Sequence, residues 1–127
     1  MRGSGKVLRA ALKINEDDES IMMAGPIQTG DQFKFSVAPG FGIIEDTIQE
    51  FSEYQTEHST TDAMILVSCK ARHMSLGPMV EEEIKGIQNL WNKPLIGFFA
   101  YGEVGVNSTG ECNFYNETCS LVLIREK

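Results

Sequence analysis

The first half of the chain changes between the apolar spacings of a strand and of a helix. An apolar-rich stretch over residues 6–14 predicts a strand with some helical ambiguity, and the polar turn after it predicts a hairpin into residues 21–24. From 32 to 37 every second residue is apolar, which predicts another strand with one apolar side. The apolar spacing then becomes three and four, which predicts a helix over residues 40–57.

The second half contains two short runs that are apolar at every position, residues 63–67 and 95–100. Such runs are typical of strands covered on both faces. Residues 68–76 are polar enough to predict a loop, and Pro78 suits the first turn of a second helix. The buried stripe of that helix is expected to be Val80, Ile84, Ile87 and Trp91. Residues 119–124 predict a closing strand.

These elements form two overlapping strand–helix–strand units, 32–67 and 63–100, whose crossovers normally join parallel strands. The predicted fold class is α/β, with α+β as the alternative: a mixed β-sheet with two crossover helices, an N-terminal hairpin and a C-terminal antiparallel strand. A chain of 127 residues fits one domain. We therefore expect a single domain over residues 6–127, with residues 1–5 as a tail that is native or left by cloning.

Ligands of open α/β sheets bind at the carboxyl edge of the strands. Polar residues that follow the two apolar strands are therefore candidate ligand-binding residues: Ser68, Cys69, Arg72, Tyr101, Gly102 and Glu103. The planar guanidinium of Arg72 suits a carboxylate, either from a ligand or from Glu103. Glu103 could hold a cationic group with Tyr101 as an aromatic wall, or both residues could only stabilise a turn.

Composition and spacing argue against several other functions. The net charge of −7 disfavours nucleic acid as a partner, and no apolar run approaches the roughly 20 residues of a membrane span. No signal peptide is visible, so a cytoplasmic location is expected. The two histidines form no ligand pair and the glycines match no nucleotide-binding fingerprint, so no metal or cofactor is expected.

Cys69 and His73 could act as nucleophile and base of a cysteine-dependent hydrolase. Four residues of separation in a predicted loop say little about contact, and a free cysteine is usually a small buried residue. We therefore expect no catalytic residue and a protein that is not an enzyme.

Several motifs together resemble the C-terminal domain of the FIST family, the F-box and intracellular signal transduction proteins. The resemblance covers most of the chain, from about Val7 to Ile124. It rests on Ala24-Gly25, Gly30-Asp31, Ser68-Cys69 with Arg72, Leu76-Gly77, Glu82 or Glu83, Trp91, Pro94 to Phe99, Tyr101-Gly102-Glu103, and Cys112 to Thr118. Asn116, in the last motif, completes the set of candidate ligand-binding residues.

The resemblance implies a sensory signal-transduction module that binds a small molecule, an amino acid being one proposed class. It brings no catalytic residue. The implied partners are a FIST N-terminal domain, which normally precedes this one, and a signalling output domain. Nothing in the chain matches the N-terminal domain, so an alternative is an interaction module whose exposed apolar face docks that domain or forms a homodimer.

Overall fold

The computed structural model describes residues 7–37, 40–106 and 110–126. Its strands are β1 (Ala11–Asn15), β2 (Ser20–Met23), β3 (Ala63–Cys69), β4 (Leu95–Ala100), β5 (Glu103–Val106), β6 (Cys112–Tyr115) and β7 (Cys119–Ile124). Its helices are α1 (Gly42–Glu57), α2 (Lys70–Leu76) and α3 (Val80–Trp91), with a single 3₁₀ turn, Gly77–Met79, between the last two.

A mixed sheet in the order β4-β3-β7 forms the centre of the molecule. β3 pairs with β4 in parallel and with β7 in antiparallel orientation. The β3–α3–β4 connection is the parallel crossover predicted for residues 63–100. Antiparallel pairing of β1 with β2 confirms the hairpin, although β1 begins at Ala11 and Lys6 lies outside the described residues. The predicted fold class is confirmed.

The two faces of this sheet differ. Met64, Leu66 and Ser68 of β3 point to one face and are at most 4% exposed. The α3 side chain Ile84 lies against this face, and the end of α1 lies beside β7, so the helices cover it. The other face carries apolar side chains that are open to solvent, with exposed fractions of 66% for Ile96 and 61% for Phe98.

The two long helices pack against each other. Ile44 of α1 forms a buried cluster with Leu76 and Val80, as the helical spacing predicts. The indole Nε1 of Trp91 donates to the carbonyl of His58 at 2.8 Å, which fixes the end of α3 to the end of α1. α3 ends at Asn92, whose φ of 48° is left-handed, just before Pro94.

The strand predicted for residues 32–37 is not present. This segment has no regular structure, and the side chains of Phe33, Phe35 and Val37 are 68%, 89% and 91% exposed. Apolar and polar residues do alternate in this segment, but a strand also needs a neighbouring strand to pair with. The positions on both sides of β3 are occupied by β4 and β7. The crossover predicted for residues 32–67 therefore lacks its first strand.

Two further predictions were wrong in detail. Residues 68–76 are not a loop, because β3 continues to Cys69 and α2 follows directly. The residues of α2 are mostly good helix formers, a propensity that their polar character concealed. β4 was expected to be covered on both faces, but no described element covers the face that carries Ile96 and Phe98, which are exposed. Among the described residues, no helix is both long and apolar enough to cross a membrane.

Candidate functional site

The carboxyl end of β3 enters a cluster of buried polar side chains. Ser68 is 3% exposed and Cys69 is 1% exposed. The backbone N–H of Cys69 donates to the carbonyl of Thr118 at 2.9 Å, and Ser68 pairs with Cys119 in register. The end of β3 is therefore joined to the turn before β7, where the last of the FIST-like motifs lies.

Arg72 projects from α2 into this cluster and is 6% exposed. Its Nε donates to both carboxylate oxygens of Glu83, at 3.1 and 3.0 Å, and its Nη2 contacts Glu83 as well. Nη2 also donates to Thr47 Oγ1 at 2.7 Å, and Nη1 donates to the carbonyl of Glu117 at 3.3 Å. Burial opposes the charged guanidinium, but the hydrogen bonds and charge of Glu83 prevail and raise the pKa of Arg72.

This arrangement differs from the expected pairing of Arg72 with Glu103 or with a ligand carboxylate. The guanidinium is already neutralised by Glu83, which is 1% exposed. Glu83 lies in the first turn of α3 with Glu81 and Glu82, which pair with the exposed Lys85 instead. Its position three residues after the buried Val80 was the signal that it shares the inner stripe of the helix.

Glu103 begins β5 and is 4% exposed. Its Oε2 accepts a hydrogen bond from Thr118 Oγ1 at 2.5 Å, while Oε1 is buried and has no partner in the described part of the chain. Burial raises the pKa of Glu103, although the Thr118 hydrogen bond and the charge of Arg72 oppose that shift. One oxygen of this buried carboxylate therefore has no hydrogen-bond donor.

Asn116 follows β6 in the chain and is 1% exposed. Its Nδ2 donates to the carbonyl of Tyr101 at 3.2 Å, and its Oδ1 is buried without a described partner. Gly102 allows this approach, because a Cβ there would lie 2.2 Å from Phe114 Cζ and 3.0 Å from Asn116 Nδ2. The side chain of Tyr101 is 75% exposed, so it does not wall the buried cluster as expected.

Six of the seven candidate residues are at least partly buried, and three of them hold a buried oxygen atom without a hydrogen-bond partner in the described chain: Ser68 Oγ, Glu103 Oε1 and Asn116 Oδ1. Two carboxylates, Glu83 and Glu103, face one guanidinium. These residues carry one more carboxylate than cation, and buried oxygen atoms without a hydrogen-bond donor are costly. Their chemistry suits a ligand that donates hydrogen bonds.

An apolar cavity of about 170 Å³ adjoins the cluster between α3 and the sheet. Ser68 lines it together with Leu66, Ile84, Gly97 and Phe99. Liquid water occupies about 30 Å³ per molecule, so this volume suits a group of about five or six heavy atoms. Ser68 thus joins the polar cluster to the apolar cavity.

Among the described residues, no contact pairs the Cys69 thiol with the His73 imidazole. Cys69 is buried, while His73 Nδ1 lies 2.7 Å from Lys70 Nζ and the His73 ring stacks on Phe99 at 4.4 Å. Burial, with a contribution from the charge of Glu83, raises the pKa of Cys119 to about 12, so that thiol stays protonated. No group of three residues able to hold a metal ion occurs in the part of the chain that the structure describes.

Comparison with known proteins agrees with the motifs. The sequence model of the FIST C domain matches residues 1–106, and the motif from Cys112 to Thr118 lies beyond that match. No curated protein and no solved structure gives a significant match. Because the match spans well over half of the 127 residues, the chain belongs to the FIST C domain family of sensory signal-transduction domains.

Proposed function

We propose that this domain senses a small molecule that carries an ammonium or amine group, an amino acid being the first class to test. The observation that carries the proposal is the set of three buried side-chain oxygens without a hydrogen-bond partner, Ser68 Oγ, Glu103 Oε1 and Asn116 Oδ1. A protonated amine supplies three donors for these oxygens and a positive charge for the second carboxylate. The apolar cavity beside Ser68 then receives an apolar side chain of the ligand.

The roles of the candidate residues follow from their contacts. Glu103 binds the cationic group, and Ser68 and Asn116 complete its hydrogen bonds. Arg72 positions Glu83 and the turn at Glu117 rather than binding a carboxylate itself, because its donors are engaged. Cys69 and Gly102 shape the site without contacting the charge.

A thermal-shift screen against the twenty amino acids, matched with their decarboxylated amines and deaminated acids, tests this function. A ligand at 100 times its dissociation constant stabilises the folded state by about 2.7 kcal/mol. Amines and amino acids are expected to raise the melting temperature, whereas the deaminated acids are not. Glu103→Gln and Ser68→Ala should abolish the shift, and Ser120→Ala, in the neighbouring strand, should keep it. A shift produced only by the acids would overturn the proposal.

A second candidate function is docking of a FIST N-terminal domain, and the open face of the sheet supports it. Ile96 and Phe98 of β4 are continuous with Val122 and Ile124 of β7, which are 51% and 43% exposed. An exposed apolar patch of this kind is typical of a protein interface. Titration with a separately produced FIST N-terminal domain tests it: Phe98→Asp should weaken binding at least tenfold, and Ile14→Asp should not.

A further inference from the structure

β7 ends the central sheet, and no described strand pairs with the outer edge of its backbone. The bond from the Cys69 N–H to the Thr118 carbonyl identifies the hydrogen-bonded pairs of the β3–β7 ladder. Because such pairs alternate in an antiparallel ladder, Leu121 and Leu123 direct their N–H and C=O groups away from β3. The edge therefore offers donors and acceptors to another strand.

An open groove of about 540 Å³ runs along this edge. β7 forms one wall with Leu121 to Leu123, and the end of α1 forms the other with Tyr54, Glu57 and His58. A groove beside an unpaired strand is the geometry in which an extended chain adds to a sheet. The site has no role in the small-ligand function proposed above.

The chain also contains a segment with the pattern of a strand but no partner, residues 32–37. Its apolar side chains, Phe33, Phe35 and Val37, are at least 68% exposed. The rings of Phe33 and Phe35 meet edge to face at 5.6 Å, so these alternate residues already share one side, as they do in a strand. The segment has six residues, the same length as β7.

Charge indicates how the segment fits the groove. Helix α1 carries five acidic residues and no Lys or Arg, and Glu57 lines the groove. Lys34 is the only charged residue between 32 and 37. With Lys34 directed towards Glu57, the strand places Phe33 and Phe35 on the opposite side, next to the exposed Val122 and Ile124 of β7.

We propose that residues 32–37 of one copy add as a strand to the free edge of β7 in a second copy, and that the exchange is reciprocal. Within one chain the segment and the groove are both open, so the fold of a single copy does not bring them together. Two copies related by a two-fold axis satisfy two segments and two edges at once. The product is a strand-exchanged dimer with a four-stranded sheet in each half.

Sedimentation equilibrium over a range of concentrations tests the proposal on the full chain. The protein is expected to dimerise, and Phe35→Asp should raise the dimer dissociation constant at least tenfold. Ile14→Asp, which alters another exposed apolar residue, in β1, should leave it unchanged. Lys34→Glu and Glu57→Lys should each weaken the dimer, and the chain with both changes should recover, because the ion pair is restored in reverse.

Three results would overturn the proposal. One is a monomer at every concentration up to millimolar. Another is a dimer that survives Phe35→Asp but is lost with Phe98→Asp, which would indicate stacking of the open sheet faces. The third is a disulfide between cysteines introduced as Phe35→Cys and Val122→Cys that forms within one chain, which would show that the segment occupies its own groove.

Discussion

The guanidinium of Arg72 is surrounded by partners from three parts of the chain: Thr47 of α1, Glu83 of α3 and the Glu117 carbonyl before β7. A buried ion pair of this kind contributes little net stability compared with apolar residues, but removing one partner leaves a buried charge uncompensated. The ion pair therefore links these three parts of the chain, and each of its two charges is stable in the interior only while the other is present.

Arg72→Ala is expected to lower the free energy of unfolding by about 3–5 kcal/mol, because the buried Glu83 carboxylate loses its counter-charge. The double change Arg72→Met with Glu83→Leu should recover most of that loss. Urea unfolding followed by circular dichroism measures both. Lys85→Ala, which removes an exposed cation from the same helix, should cost less than about 1 kcal/mol. A loss below 1 kcal/mol for Arg72→Ala would mean that the pair is open to water.

Glu103 gives the stability a dependence on pH. Burial raises its pKa in the folded state, so the folded protein binds this proton more tightly than the unfolded chain does. The ionised Glu103 therefore lowers the free energy of unfolding, and this effect is largest above the pKa of the folded state. The effect disappears as the pH falls below the pKa of the unfolded state, about 4.3. Stability contributed by this group therefore increases on acidification through that window.

Glu103→Gln removes the charge and keeps an acceptor for Thr118. It is expected to raise the free energy of unfolding by about 1 kcal/mol at pH 7, because a buried charged acceptor without a donor is costly. The difference from the parent protein should shrink towards pH 4. Urea midpoints between pH 4 and 7.5 measure this, with the exposed Glu16→Gln as the control. A variant less stable than the parent at pH 7 would contradict the assignment.

At the scale of elements, hydrophobic spacing predicted those that pack on each other. Residues 63–67 and 95–100 became β3 and β4, and the stripe from Val80 to Trp91 became the inner face of α3. Hydrophobic spacing gave the wrong prediction where the structure of a segment depends on a partner elsewhere in the chain. Residues 32–37 have strand alternation and no neighbour, and the partner of Arg72 could not be inferred while α2 was taken for a loop.

The candidate site shows the same division. Its position at the carboxyl end of β3 follows from the order of the elements, which the sequence predicts. Which atoms lack partners depends on side-chain packing between β3, β5 and the turn at Asn116, and no spacing rule reports that. The FIST-like motifs led to Asn116, since no periodic pattern distinguishes it.

Gly97 sets the contact between the two parallel strands. A Cβ at this position would lie 2.1 Å from the carbonyl oxygen of Leu66, which belongs to the central strand and cannot move aside. Gly97→Ala should therefore lower the free energy of unfolding by more than about 2 kcal/mol. Gly105→Ala in β5 is the matched control, because its Cβ would meet only Ser120 Oγ at 3.9 Å. Urea unfolding of both variants measures the two free energies of unfolding. Equal values would show that β4 shifts to accept the methyl group.

At the scale of the whole molecule, the core is one-sided. Its buried apolar residues lie between one face of the sheet and the two long helices, and the opposite face is apolar but open. β5 and β6 are joined to this body through the buried Glu103 and Asn116. The β1–β2 hairpin has no comparable anchor among the described residues, since nearly all of its side chains are exposed.

The hairpin should therefore open independently of the rest of the molecule. A two-stranded hairpin alone is marginally stable in water, and this one is tied mainly by contacts of Arg9, whose Nη1 donates to the Phe114 carbonyl at 3.0 Å. β3, bonded on both edges, can exchange its amides only when the sheet opens.

Native-state hydrogen exchange at low urea should show the β1 and β2 amides exchanging through local fluctuations that urea hardly affects. The β3 amides should follow the global unfolding free energy and its urea dependence, with β5 and β6 in between. Hairpin amides as protected as those of β3 would mean that β1 and β2 are part of the cooperative core.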